Sequence, residues 1–171
     1  MPMIFTVAAA LLGAAVGSFL NVVIYRLPLG LSIVSPPSSC PCCKTRIKPL
    51  QNIPVISYLI LGGRCANCRA PISLRYPLVE ALTSVLTVLL WLRFGGDPLL
   101  FGIYFVFLAA MVAVVFIDLD HKIIPDSISL GGIVVGFVAS FFTPVGWVDS
   151  LMGILAGAGS LFAVAWGYHL I

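Results

Sequence analysis

The sequence predicts an all-α polytopic membrane protein, and three observations carry that prediction. The 171 residues are 61% hydrophobic and only 9% charged, with a mean hydropathy of +1.16. Soluble globular chains carry about a quarter of charged residues, so a water-soluble domain is excluded. Apolar stretches long enough to cross a hydrocarbon core of ~30 Å as helices recur along the chain. Finally, seven of the nine Lys and Arg residues fall between Arg26 and Arg75, the asymmetry expected of a bundle with one basic face.

Residues 3–25 are uncharged and of membrane length. They lack the basic start and the small-residue cleavage site of a signal peptide, so they are expected to remain as the first span. Within it, Gly13 and Gly17 form a small-xxx-small pair that lets another helix approach. Asn21 is expected to hydrogen-bond to a neighbouring helix. From Arg26 to Tyr76 the texture changes, with seven prolines, five cysteines and most of the basic charge. Proline removes a backbone donor and breaks a continuous helix, so this stretch reads as an extramembrane module. Ile53–Leu61 inside it is too short to span and is expected to form a small core or an interfacial segment.

Four further apolar stretches follow, Leu78–Leu92, Leu99–Ile117, Ile128–Phe142 and Ser150–Ile171, giving about five transmembrane helices in all. The Leu78 and Ile128 stretches are short, so their helices are expected to begin within their polar flanks. The predicted organisation is a first helix at 1–25, a cysteine-rich loop at 26–76 and a helix bundle at 77–171. Counting Lys and Arg near the span ends places the 26–76 loop in the cytoplasm and the N-terminus outside. Five alternating spans put the 118–126 turn on the cytoplasmic face too. The lipid bilayer is the expected surroundings, and a nucleic-acid partner is not expected.

The bundle's most unusual feature is the turn Asp118-Leu-Asp-His-Lys-Ile-Ile-Pro-Asp126, which holds three of the six acidic residues. A carboxylate at the end of a membrane segment is costly unless wet or paired, which makes it a functional candidate; the bland alternative is a helix ending at the headgroups. Lys122, four residues after Asp118, could pair with it if the helix persists. Asp126, before Ser127, suits a helix N-cap. His121 is assigned no role, and Glu80, whose role the sequence leaves open, could pair with Arg75 or Arg69.

The cysteines form two CxxC pairs, Cys40/Cys43 and Cys65/Cys68. That arrangement lets four thiolates surround one tetrahedral zinc ion, with Cys42 spare. Lys44, Arg64 and Arg69 lie beside the pairs, where they would offset the excess negative charge. Two disulfides are the competing reading, and a cytoplasmic loop disfavours them. A closed four-thiolate site is expected to fold the loop rather than to activate water.

GSFLNVVIYRLP (17–28), the paired CxxC motifs, QNIPVISYLILGGRCANCRAPISLRYPLVEALT (51–83) and FIDLDHKIIPD (116–126) together resemble the bacterial type IV prepilin peptidases. The resemblance implies a polytopic aspartic endopeptidase of the bacterial inner membrane. Such an enzyme cuts leader peptides from type IV prepilins or type II secretion pseudopilins at the cytoplasmic face. It also implies, for many members, N-methylation of the new N-terminus with S-adenosylmethionine. The family's first catalytic aspartate corresponds to Asp118, and its second lies in a later GxGD motif.

The 171 residues contain no GxGD, and the only acidic residue after Asp126 is Asp149. Aspartic proteolysis needs two carboxylates close enough to share a proton. Asp118 and Asp120 point ~200° apart on a helix of 3.6 residues per turn, so they cannot form that pair. The expectation is a peptidase chain that lacks the second aspartate, as a fragment or as a variant, and that is inactive alone unless a homologous chain supplies it. The alternative is a non-catalytic membrane subunit that binds prepilins or a complete homologue.

Overall fold

The computed structural model describes residues 3–169, with the side chain of residue 169 left aside; the last two residues of the expected final span lie outside it. Among the described residues there are six α-helices and no β-strand: α1 (Met3–Arg26), α2 (Ile56–Ile60), α3 (Arg75–Phe94), α4 (Pro98–His121), α5 (Asp126–Ser140) and α6 (Trp147–His169). Four of them, α1, α3, α4 and α6, are long and apolar enough to cross a membrane. The protein is thus an all-α polytopic membrane protein. The fifth expected span is α5, which begins at Asp126, inside its polar flank as expected, and is short for a membrane crossing. α5 has 15 residues, and at ~1.5 Å per residue it rises about 22 Å, less than the hydrocarbon thickness. Its last residue, Ser140, bonds back to the carbonyl of Phe137 at 2.6 Å, and the chain then turns.

The chain divides into two compact units, Met1–Pro125 and Asp126–Ile171. In the first, α1 packs along α3, and α4 packs on both. The α1–α3 register is antiparallel. Asn21 Nδ2 donates to the Tyr76 carbonyl at 3.1 Å, and Ser84 Oγ donates to the Ala10 carbonyl at 2.8 Å. Asn21 therefore behaves as its sequence position suggests. Between these bonds the two glycines let the backbones touch: a Cβ on Gly17 would lie 2.8 Å from Glu80 Cα, and one on Gly13 2.8 Å from Ser84 Cα. Lipid tails supply no hydrophobic drive for helix pairing, so this close packing and the interhelical hydrogen bonds are what hold the pair. Thr83 and Thr87 are fully buried, and each hydroxyl is satisfied by the carbonyl four residues back at 2.7 Å.

α3 begins at Arg75 rather than Leu78, inside its polar flank as expected. Asp97 caps α4, accepting from the Leu99 and Leu100 N–H groups at 3.0 and 3.1 Å, with Pro98 in the first turn where its missing donor costs nothing. At this end of the unit Phe5, Trp91 and Phe101 pack in sequence, the first pair tilted and the second edge-to-face, with ring centroids 5.9 and 5.4 Å apart. The opposite end carries the chemistry. There the C-terminus of α1, the N-terminus of α3 and the C-terminus of α4 converge over buried Ile24, Val79 and Ile117. The second unit is the hairpin of α5 and α6, which pack on each other.

Candidate active site and metal centre

α4 runs through buried Ile117 and stops at His121, with Lys122 closing it in the left-handed conformation at φ 56°. The Lys122 N–H donates to the Asp118 carbonyl at 2.9 Å. The helix thus ends before an Asp118–Lys122 pair can form. Among the described residues the only ion pair joins Arg75 to Asp120, and Asp118 is exposed. Two carboxylates in the last turn oppose the negative end of the helix dipole. Arg75 offsets this from α3: it pairs with Asp120, its Nη2 donates to the Phe116 carbonyl at 3.1 Å, and its guanidinium lies 5.4 Å from the Phe116 ring centroid. One residue therefore grips the turn that carries Asp118 while leaving that carboxylate free.

Glu80 pairs with neither Arg75 nor Arg69. It is buried, and its carboxylate accepts the Val55 N–H at 2.7 Å. The basic residues are drawn elsewhere because Arg75 faces α4, whereas Glu80, five residues on, faces the loop. Asp126 is the first residue of α5, an acidic group at the positive end of that helix rather than a cap preceding it.

The four cysteines of the two CxxC pairs are brought together: the Sγ atoms of Cys40, Cys43, Cys65 and Cys68 all lie within 4.8 Å of one another. All five cysteines are free thiols, and Cys42 stands apart, exposed. The two knuckles have the same backbone design. Lys44 N–H donates to the Cys40 carbonyl at 2.9 Å and Cys40 N–H to Thr45 at 3.0 Å. In the second, Arg69 N–H donates to the Cys65 carbonyl at 3.0 Å and Cys65 N–H to Ala70 at 2.8 Å. The residue after the second cysteine of each pair, Lys44 or Arg69, has φ of 57° or 61°. Asn67 Nδ2 joins the knuckles by donating to Thr45 Oγ1 at 3.1 Å.

This donor set fits a tetrahedral metal ion. Zn–S bonds of ~2.3 Å imply S···S separations of ~3.8 Å, and Cys40 and Cys68 sulfurs are 3.8 Å apart. The thiol acidities reflect the same crowding. Hydrogen bonds from Thr45 and Asn67 lower Cys43 to about 5. Backbone N–H groups of Cys68 and Asn67 lower Cys65. The Ala70 backbone pulls Cys68 down, but burial and the Cys43, Cys40 and Cys65 sulfurs outweigh it and push Cys68 up to about 12. A cation at the centre would relieve that conflict, since four converging thiolates repel one another without one.

Sequence reasoning missed Arg75 as the partner of Asp120. Its only signal was a basic residue at the head of a span. It also missed the Glu80–Val55 bond, for which the isolated acid at a span's start was the one clue.

Comparison with known proteins adds to this geometry. Residues 11–94 match the Bacterial Peptidase A24 N-terminal domain, and residues 105–170 match the Type IV leader peptidase family. Three proteins named prepilin leader peptidase/N-methyltransferase are similar over most of this chain. That of Pseudomonas aeruginosa is 37% identical over 99% of this chain and 67% of its own. That of Dichelobacter nodosus is 37% identical over 91% and 64%, and that of Myxococcus xanthus is 45% identical over 90% and 46%. The chain thus spans between about half and two thirds of the length of these relatives. No solved structure matches it.

Proposed function

The chain belongs to the type IV leader peptidase family, and from that premise we propose that it is a membrane aspartic endopeptidase acting on leader peptides of type IV prepilins or type II secretion pseudopilins. The observation that carries this reading is the division at the end of α4. Asp120 is tied to Arg75, and Asp118 stands exposed at the end of a membrane span with no ion-pair partner among the described residues. Asp118 is one catalytic carboxylate. With a second beside it, one would take a proton from the attacking water while the other polarises the scissile carbonyl. The second comes from a GxGD motif, which these 171 residues do not contain.

Cys40, Cys43, Cys65 and Cys68 hold a structural zinc ion. It would supply the cross-link that folds a proline-rich loop with little core of its own, and the four thiolates leave no position for water. The loop and the Asp118 turn sit at one end of the first unit, and the loop's Lys and Arg excess supports a cytoplasmic location at a bacterial inner membrane, with the N-terminus outside. The relatives' names also carry an N-methyltransferase activity, and the family resemblance implies S-adenosylmethionine as the methyl donor for it. Among the described residues there is no strand, hence no strand–glycine–helix cradle for a nucleotide.

The test is cleavage of a purified prepilin in detergent. The chain extended through a GxGD segment is expected to release the leader, and failure to do so with the metal bound would contradict the assignment. The 171 residues alone are expected to give no cleavage. A second reading is a non-catalytic subunit that binds prepilins or a complete homologue. It predicts prepilin binding by the 171-residue chain and no cleavage by the extended one.

A further inference from the structure

The loop segment around α2 is unexplained by either the metal centre or the acidic turn. Its helix presents Ile56, Leu59 and Ile60 to the outside at 52, 70 and 78% exposure, so it builds no core of its own. The segment is nevertheless held hard in place. Val55, a β-branched residue, adopts φ 61°, a conformation costly for its branched side chain and one that persists only when surroundings impose it. What imposes it is the buried carboxylate of Glu80, which accepts the Val55 N–H across 25 residues of sequence.

The depth of that bond matters. Glu80 lies five residues beyond Arg75 along α3, about 7.5 Å further from the polar end of the bundle at ~1.5 Å per residue. Interfacial helices bury their apolar face ~5–10 Å into the headgroup and acyl boundary, so Glu80 draws the start of α2 to that depth. The surrounding charge points the same way. Residues 26–79 contain seven Lys and Arg and no Asp or Glu, and Lys44, Arg46, Lys48, Arg64 and Arg69 are all exposed. Such a surface is complementary to an anionic leaflet.

We propose that Ile53–Leu61 is a membrane-anchoring element, latched by Glu80, that seats the metal loop on the anionic lipid interface through Ile56, Leu59 and Ile60. This goes beyond the peptidase reading and does not depend on it.

Photo-crosslinking in lipid nanodiscs tests it, with p-benzoylphenylalanine placed singly at Leu59, at Ile60 and, as a control, at Thr45 beside the metal knuckle. Lipid adducts are expected at the first two positions and not at Thr45, with higher yield in phosphatidylglycerol than in phosphatidylcholine. Glu80→Ala is expected to lower the yield at Ile60 by about tenfold, the factor for losing one hydrogen bond to a charged group. Glu80→Gln, which keeps an acceptor oxygen, should retain most of it. Metal content serves as the folding control for both variants. Adducts to residues of this chain or of a second copy, or no adduct at Leu59 and Ile60, would overturn the anchor. An unchanged yield in a metal-loaded Glu80→Ala would overturn the latch.

Discussion

Asp118 and Asp120 lie two residues apart at the end of α4, and Arg75 reaches only one of them. The helical turn separates the two carboxylates, and the antiparallel packing of α3 brings Arg75 to the side of Asp120. The pair is partly exposed, 29% for Arg75 and 37% for Asp120, so solvent screening limits it to ~1 kcal/mol or less. Arg75→Ala also removes the bond to the Phe116 carbonyl and the ring contact, and a loss of about 1–2 kcal/mol is expected. Thermal unfolding in detergent should show it as a drop of a few degrees, with faster hydrogen exchange at residues 116–121. At the metal knuckles the acidities have opposite signs. In the metal-free loop, Cys43 lowered to about 5 gives stability present above the ordinary thiol value of 9.0 and lost as pH falls through about 5. Cys68, raised to about 12, favours the neutral thiol, so its contribution is present below 9.0 and lost as pH rises through about 12. At neutral pH Cys68 must release its proton to solvent when it binds a metal. Apparent zinc affinity should therefore rise at least about tenfold per pH unit near neutrality, as read by competition with a chromophoric chelator. A flat profile would contradict this.

Among the elements, the α1–α3 pair depends on two small residues. Gly17→Leu would drive a side chain into the Glu80 backbone, which cannot move aside as a flexible side chain could. A destabilisation of about 1–3 kcal/mol is expected, as for other overpacked contacts, and should appear as a lower thermal midpoint. α1 was legible in the sequence because an uncharged stretch of membrane length leaves little else for the chain to do in lipid, whereas α3 showed only as a shorter apolar run interrupted by Glu80. The end of α5 was less legible, since Phe141 and Phe142 continue the mainly apolar run from Ile128 and only the turn after Ser140 ends the helix. The CxxC spacing announced four converging sulfurs. The left-handed Lys44 and Arg69 that shape each knuckle were not legible, because that conformation is disfavoured for both residues and is imposed by the closing bonds to Cys40 and Cys65. Metal analysis should find about one zinc per chain, lost on Cys65→Ser, with the 40–70 region then becoming protease-sensitive.

At the scale of the molecule, the first unit gathers the acidic turn and the metal loop at one end of three packed helices, and places an aromatic cluster at the other. The sequence suggested that arrangement through its one-sided basic charge. It could not show which aspartate would be left free, because the deciding contact spans 45 residues, from Arg75 to Asp120. The family match covers both the loop-bearing half and the Asp118 turn, so the proposed chemistry rests on that division between the two aspartates. Prepilin cleavage rates for Asp118→Asn and Asp120→Asn, compared in the chain extended through GxGD, test it most directly. The account predicts that Asp118→Asn abolishes leader release, whereas Asp120→Asn, which loses only a partly exposed ion pair, keeps the rate within about tenfold. Full cleavage by Asp118→Asn, or its complete loss in a folded Asp120→Asn, would contradict the account.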